Sequence, residues 1–206
     1  MNFINKLRQA VVDYDIFQTD HATGRIALQK QIAELQGSPY HEKKLEEHDA
    51  GLEAAKTAAL KKIADISKNY EQLLERAYQI DGAYLHGDRE LLPLLGHEEL
   101  KSMDKKHGGN VTMQRLIRAE AEKRNFSMLP ITPKEYRQEG FAFIGKMAMK
   151  AISNEGSPAR GTFVSDAAWA QAFTSQKQAA DVSDFAGHFA RYEAAQTLKI
   201  PPQWAE

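Results

Sequence analysis

Ala59-Leu60-Lys61-Lys62-Ile63-Ala64-Asp65-Ile66-Ser67-Lys68-Asn69-Tyr70-Glu71-Gln72-Leu73-Leu74-Glu75-Arg76-Ala77 is the stretch on which the fold turns. Leu45, Leu52, Ala59, Ile66, Leu73 and Ile80 recur at every seventh residue, and a second row four residues on carries Asp49, Lys56, Ile63, Tyr70, Ala77 and Tyr84. Apolar residues in two such rows make the seam of a coiled-coil-like helix, and here the seam is polar in its first part and apolar from about Ala59 onward. Glu, Lys, Gln and Ala fill the positions between, as good helix formers on a solvated face do. A helix over about 41–85 cannot bury this stripe alone.

The preceding segment offers it a partner. Ile4, Leu7 and Val11 share one face and Ile26, Ile32 and Leu35 another, before Gly37-Ser38-Pro39 interrupts the pattern with a stop-and-turn signal. The two segments are expected to form an antiparallel hairpin, kinked near Asp20 to Gly24, or the second segment pairs with its copy in another chain. Either way the seam residues Leu52, Ala59, Ile63, Ile66, Tyr70, Leu73, Ala77, Ile80 and Tyr84 are the candidate self-association surface.

Beyond Asp81 the pattern becomes irregular, which places the boundary between an N-terminal hairpin, 1–90, and a C-terminal helical domain, 91–206. Asp88 is expected to cap a short apolar turn, Leu91 to Leu95, that ends at Gly96. Helices follow at His97 to Lys106, closed by Gly108-Gly109, and at Thr112 to Arg124, capped by Asn110 or Thr112. Thr132-Pro133-Lys134-Glu135 combines a cap, a proline and an acidic residue, and opens a helix to about Ile152. Asn154 to Gly161 contains two Gly and a Pro and reads as a flexible loop near 154–162. Two alanine-rich helices, Ser165 to Lys177 and Asp181 to Leu198, then carry the aromatic residues Trp169, Phe173, Phe185, Phe189 and Tyr192. These are expected to form a core with Phe141, Phe143, Ile144, Met147 and Met149, the alternative being that part of this 132–206 surface docks a partner. No strand alternation is sustained anywhere, so the fold class is all-α.

The 206 residues include 27 basic and 28 acidic side chains, a formal net charge of −1 that sets up no global field toward nucleic acid or an anionic surface. With 42% hydrophobic residues the chain is too apolar to read as disordered. There are no cysteines, which removes thiol catalysis and thiolate metal sites. No apolar run approaches the roughly 20 residues needed to cross a bilayer, and the N-terminus is too polar for a signal peptide, so a cytoplasmic location is expected.

The seven histidines fall in no spacing that puts two imidazoles on one turn of helix. Asp104 and His107 come nearest, and a solvated helix with a basic end accounts for them; no metal or cofactor is expected. Carboxylate pairs such as Glu46-Glu47 and Glu98-Glu99 sit beside Lys or Arg, and nothing isolates one member in an apolar pocket. No nucleophile elbow, phosphate loop or dinucleotide fingerprint is present. An enzyme is therefore not expected. Lys105, Lys106, Arg115, Arg118, Lys123 and Arg124 form a broken basic strip that could touch phosphates, although Glu120 and Glu122 interrupt it and no aromatic is interleaved before Phe126.

From Glu99-Leu100 through Lys105-Lys106-His107-Gly108-Gly109-Asn110-Val111-Thr112-Met113-Gln114-Arg115-Leu116-Ile117 to Glu120-Ala121-Glu122-Lys123, the sequence resembles a short motif in small helical proteins from the structural gene modules of tailed phages and prophages. The resemblance covers residues 99–126 and carries no catalytic group. It implies a scaffold-like or virion-associated role in particle assembly, acting through self-association and docking to protein partners. The alternative is a regulator that dimerises through the coiled coil and binds nucleic acid through the 105–124 helix.

Overall fold

Periodicity of about 3.6 residues dominates the sequence, and the computed structural model is correspondingly all-α. The structure describes residues 2–34, 39–154, 156–185 and 187–190, and these hold helices and no strand. In chain order they are α1 (Phe3–Glu34), α2 (Pro39–Tyr78), α3 (His97–Lys106), α4 (Val111–Lys123), α5 (Lys134–Ser153), α6 (Pro158–Val164), α7 (Asp166–Gln171) and α8 (Thr174–Ala179), with three single 3-10 turns between α2 and α3. None is long and apolar enough to cross a membrane. The Gly37-Ser38 turn and Tyr192 lie outside the described residues.

Two units of packing result, each drawn from separated stretches of the chain. Among the described residues one comprises residue 2, 70–138 and those from 179 on, the other those within 3–69 and 139–178. The second unit is built on α1, whose buried Phe3, Ile4, Leu7, Ala10, Val11 and Tyr14 repeat at three- and four-residue intervals and so line one face. Phe3 meets Phe141 edge to face at 6.4 Å. Phe163 of α6 is wholly buried, lies 5.2 Å from Trp169, and its carbonyl accepts from Arg8 Nε at 2.9 Å. α1 runs without interruption through Asp20 to Gly24.

The expected loop at 154–162 is largely helix. Ser157 Oγ caps α6 by accepting from the Ala159 amide at 3.3 Å, Pro158 presets the first turn, and Ala159 and Phe163 are buried. Gly and Pro content alone hid the short apolar face. Conversely, the helix expected from Ser165 to Lys177 is divided into α7 and α8 at Ala172, whose backbone is extended with ψ 148°, and Phe173, which takes a positive φ of 58°. Its ring then packs 6.0 Å from Trp169. α5 is one-sided rather than buried all round: Phe141 and Ile144 are buried, while Phe143 and Met149 are exposed.

In the first unit, Leu92, Leu100, Ile117 and Ala121 form a core cluster between α3, α4 and the turn before them. Asn110 caps α4 through Oδ1, which accepts from the Met113 amide at 3.1 Å. Gly109, at φ +84°, lies against the backbone of Asp184. Tyr70 is buried, and its hydroxyl is 3.1 Å from the Ala180 carbonyl and 3.2 Å from that of Arg137. Burial raises the Tyr70 pKa above the ordinary phenol range.

Candidate functional site

The seam that suggests self-association divides into two parts by burial. Ile63, Ile66, Tyr70 and Ala77 are buried by the chain's own residues, as is Leu74, whereas its neighbour Leu73 is only half-buried. The shift from Leu73 to Leu74 follows from helix geometry, since a 3.6-residue turn drifts away from a strict seven-residue row. Ile80 lies beyond the end of α2 and is 66% exposed, and Tyr84 is half-buried in the following turn. Leu52 and Ala59 remain half-exposed, and no residue with a described burial from 15 through 62 is buried.

Polar pairs along this stretch join α1 to α2 in antiparallel order. Lys62 Nζ donates to Asp13 Oδ2 at 2.9 Å. Arg25 grips Asp49 with two bonds of 2.8 and 3.0 Å. His21 Nε2 lies 2.7 Å from the His48 carbonyl, and the two imidazoles sit with centroids 3.8 Å apart and planes tilted by 36°. The Arg25 hydrogen bond holds the Asp49 carboxyl below its ordinary pKa. Outside this strip Ile16, Phe17, Ile26 and Tyr40 turn apolar surface outward, with 55% and 56% of Ile16 and Ile26 exposed.

The basic strip is largely occupied. Arg118 forms a two-bond pair with Asp104 at 3.0 and 2.8 Å, so Asp104 and His107 share no ligand position. Lys106 donates to Asp88 at 3.1 Å and Lys123 to Glu120 at 3.3 Å. Arg124 donates to the carbonyls of Pro93 and Leu95 and covers the ring of Phe126. Lys105 is exposed, and Arg115 borders a groove of about 530 Å³ that also includes Glu75, Tyr78 and Glu135. Neither His97 nor His107 lines that groove. His97 instead stacks on Phe126 with centroids 5.0 Å apart.

A cluster that no sequence spacing marks lies on either side of α3. Asp88 does not cap the Leu92–Leu94 turn, whose cap residue makes no side-chain bond. Its Oδ2 instead lies 3.1 Å from His107 Nε2, 3.2 Å from His86 Nδ1 and 3.1 Å from Lys106 Nζ. His86 Nδ1 also accepts from the Asp88 amide at 3.1 Å, which caps the short turn 87–90. Burial pulls the Asp88 carboxyl upward, but the hydrogen bonds from Lys106 and His107, with the nearby charges of His86 and Lys106, leave the pKa lowered. Burial pushes the His107 imidazole down, against the hydrogen bond to Asp88 that would raise it. Histidines 86 and 107 are too far apart in sequence for a one-turn pattern, so the only sequence signal was their shared proximity to turns.

No known protein family, curated protein or solved structure matches the chain, whose function is therefore read from this geometry.

Proposed function

We propose that the protein is a non-enzymatic assembly or adaptor protein that pairs with a second copy of itself through the 15–62 part of α1 and α2. The observation that supports this is the absence of any buried residue, among those with a described burial, along that stretch. Long helices owe most of their stability to burying an apolar stripe, and two helices alone cover only the strip between them. Ile16, Ile26 and Tyr40 are left exposed, while His21, Arg25, His48 and Asp49 occupy the strip itself. Seven basic and eight acidic side chains lie in the segment, so two copies can approach without strong repulsion. A self-complementary pairing of two such segments would bury both outer stripes in a four-helix arrangement.

This narrows the candidate surface to Leu52, Ala59 and the outward residues, since Ile63, Ile66, Tyr70 and Ala77 are already covered. A scaffold-like or virion-associated role is the biological form of this reading to which the resemblance at 99–126 points, and a cytoplasmic site of assembly accompanies it. The basic strip supports the nucleic-acid alternative less well, because Lys106, Arg118, Lys123 and Arg124 have partners within the chain.

Light scattering of the full chain during size-exclusion chromatography, over a hundredfold concentration range, tests the proposal. An oligomer is expected that dissociates on dilution, and the double variant Ile16→Glu, Ile26→Glu should run as a monomer with unchanged helical content. A wild-type monomer at every concentration would remove self-pairing.

A further inference from the structure

We propose that His86, Asp88 and His107 form a binding site for a divalent transition-metal ion of the zinc class, with a fourth coordination position left for water. This is independent of self-pairing. His86 Nδ1, Asp88 Oδ2 and His107 Nε2 all lie within 4.8 Å of one another. The carboxylate oxygen is 3.2 Å from one imidazole nitrogen and 3.1 Å from the other. Metal–ligand bonds of ~2.0–2.1 Å in tetrahedral geometry place neighbouring ligand atoms roughly 3.3 Å apart, so these separations are close to those of a loaded site. Two imidazoles and a carboxylate also match the donor set of three-ligand zinc centres, which keep one position open.

The surrounding structure holds the two halves of the site together. Asn110, three residues after His107, caps α4 through Oδ1 and donates from Nδ2 to the Tyr84 carbonyl at 2.7 Å. The Asp81 amide donates to Thr112 Oγ1 at 3.3 Å, and the His86 amide lies 3.2 Å from Met113 Sδ. The 81–86 strand of chain is thereby fastened to the start of α4 on the side that carries His107. A site held in place before the ion arrives loses less entropy on binding.

His86 Nδ1, an acceptor for the Asp88 amide, stands beside Asp88 Oδ2, and a shared cation stabilises two electron-rich atoms so placed. The Lys106 ammonium is the cation now at that oxygen, and its side chain is 45% exposed, so it can swing into solvent. Metal entry requires three local changes. Lys106 leaves Oδ2, the Asp88 amide gives up His86 Nδ1, and His107 takes the tautomer with its proton on Nδ1 so that Nε2 faces the ion.

A second trio, His21, His48 and Asp49, also brings three ligand atoms together. There both carboxylate oxygens are held by the planar guanidinium of Arg25, and His21 Nε2 is turned to the His48 carbonyl, so an ion would have to displace a two-bond pair rather than a single exposed lysine. It serves as the internal control.

The test is titration of the chelator-treated full chain with Zn²⁺ by calorimetry and with Co²⁺ by visible absorption, whose intensity reports tetrahedral coordination. One ion per chain is expected, with an intense Co²⁺ band, and Asp88→Asn or His107→Gln should weaken binding at least ~100-fold. His21→Gln should leave affinity and band unchanged. Lys106→Gln should tighten binding several-fold, and this exposed substitution decides the matter if the Asp88 and His107 variants fail to fold. Absence of binding by the wild type, unchanged affinity in folded Asp88→Asn, or no tightening in Lys106→Gln would each overturn the assignment.

Discussion

Replacing Gly109 by Ala should be among the more damaging single-methyl additions in this protein. The residue has φ +84°, which costs an L-residue about 1 kcal/mol or somewhat more. In addition, the new Cβ would lie 2.3 Å from the Asp184 carbonyl oxygen and 2.6 Å from its carbon, so backbone rather than a movable side chain must yield. Moving Asp184 away disturbs Phe185, which is buried, packs edge-on to Tyr78 at 5.6 Å and lies under the Arg137 guanidinium. Such overpacking costs ~1–3 kcal/mol, bringing the total to roughly 2–4 kcal/mol. At this chain length that corresponds to a fall of roughly 4–16 °C in Tm. Gly156→Ala is the matched control, because φ is +75° there and nothing lies within 4 Å of the added Cβ. Urea unfolding followed by far-ultraviolet circular dichroism should therefore show a loss of about 1 kcal/mol for Gly156→Ala and clearly more for Gly109→Ala. Equal losses would refute the packing of 183–185 on the 107–110 turn.

Other expectations follow from single contacts. Phe163→Ala, in the helix that the sequence presents as a loop, should lose ~3–5 kcal/mol in the same urea assay. Tyr70→Phe should cost about 1 kcal/mol through its lost hydroxyl bond, and a loss within error would show that the carbonyls of Arg137 and Ala180 do not depend on it. Because burial raises the folded Tyr70 pKa above the ordinary phenol value of about 10, its contribution is intact below that pH and is lost as pH rises beyond it. The decline is ~1.4 kcal/mol per unit, measurable as a steeper alkaline unfolding curve in the wild type than in Tyr70→Phe. Arg115→Ala and Arg118→Ala should leave the salt dependence of any binding to a DNA oligonucleotide unaltered; a slope reduced by about one per substitution would restore the nucleic-acid alternative.

Helix identity was legible wherever a cap and an apolar stripe coincided. Asn110 before Val111, Thr132-Pro133 before Lys134 and the α3 stop just ahead of Gly108-Gly109 were readable because each signal is local and acts through the first or last turn. Ile63, Ile66, Tyr70 and Ala77 were recognisable as a buried face, but not as one covered by the chain itself, because the stripe is the same whichever helix lies on it. The division of Ser165 to Lys177 was hidden, since a positive φ at Phe173 is imposed by packing against Phe163 and Trp169 rather than by propensity. The His86, Asp88 and His107 trio was illegible for a related reason: its members lie on a turn and at a helix end, and tertiary ties from Asn110 to Tyr84, Thr112 to Asp81 and Met113 to His86 bring them together.

The layer of His21, Arg25, His48 and Asp49 also bears on alignment. Two helices joined only by Leu, Ile and Ala can slide past each other by a full repeat at little cost, because one aliphatic contact replaces another. One repeat away Asp49 would meet only Gln18 or Ile32, and Arg25 would meet Glu42 in one direction but Lys56 in the other, so a slipped pair leaves the Asp49 charge unmatched either way. The polar layer thus acts as a ruler that sets which residues of α1 lie beside which of α2. Arg25→Leu combined with Asp49→Leu should keep the helices together while letting their mutual offset wander, an outcome that cysteine pairs introduced at staggered positions would record as several cross-links where the wild type gives one.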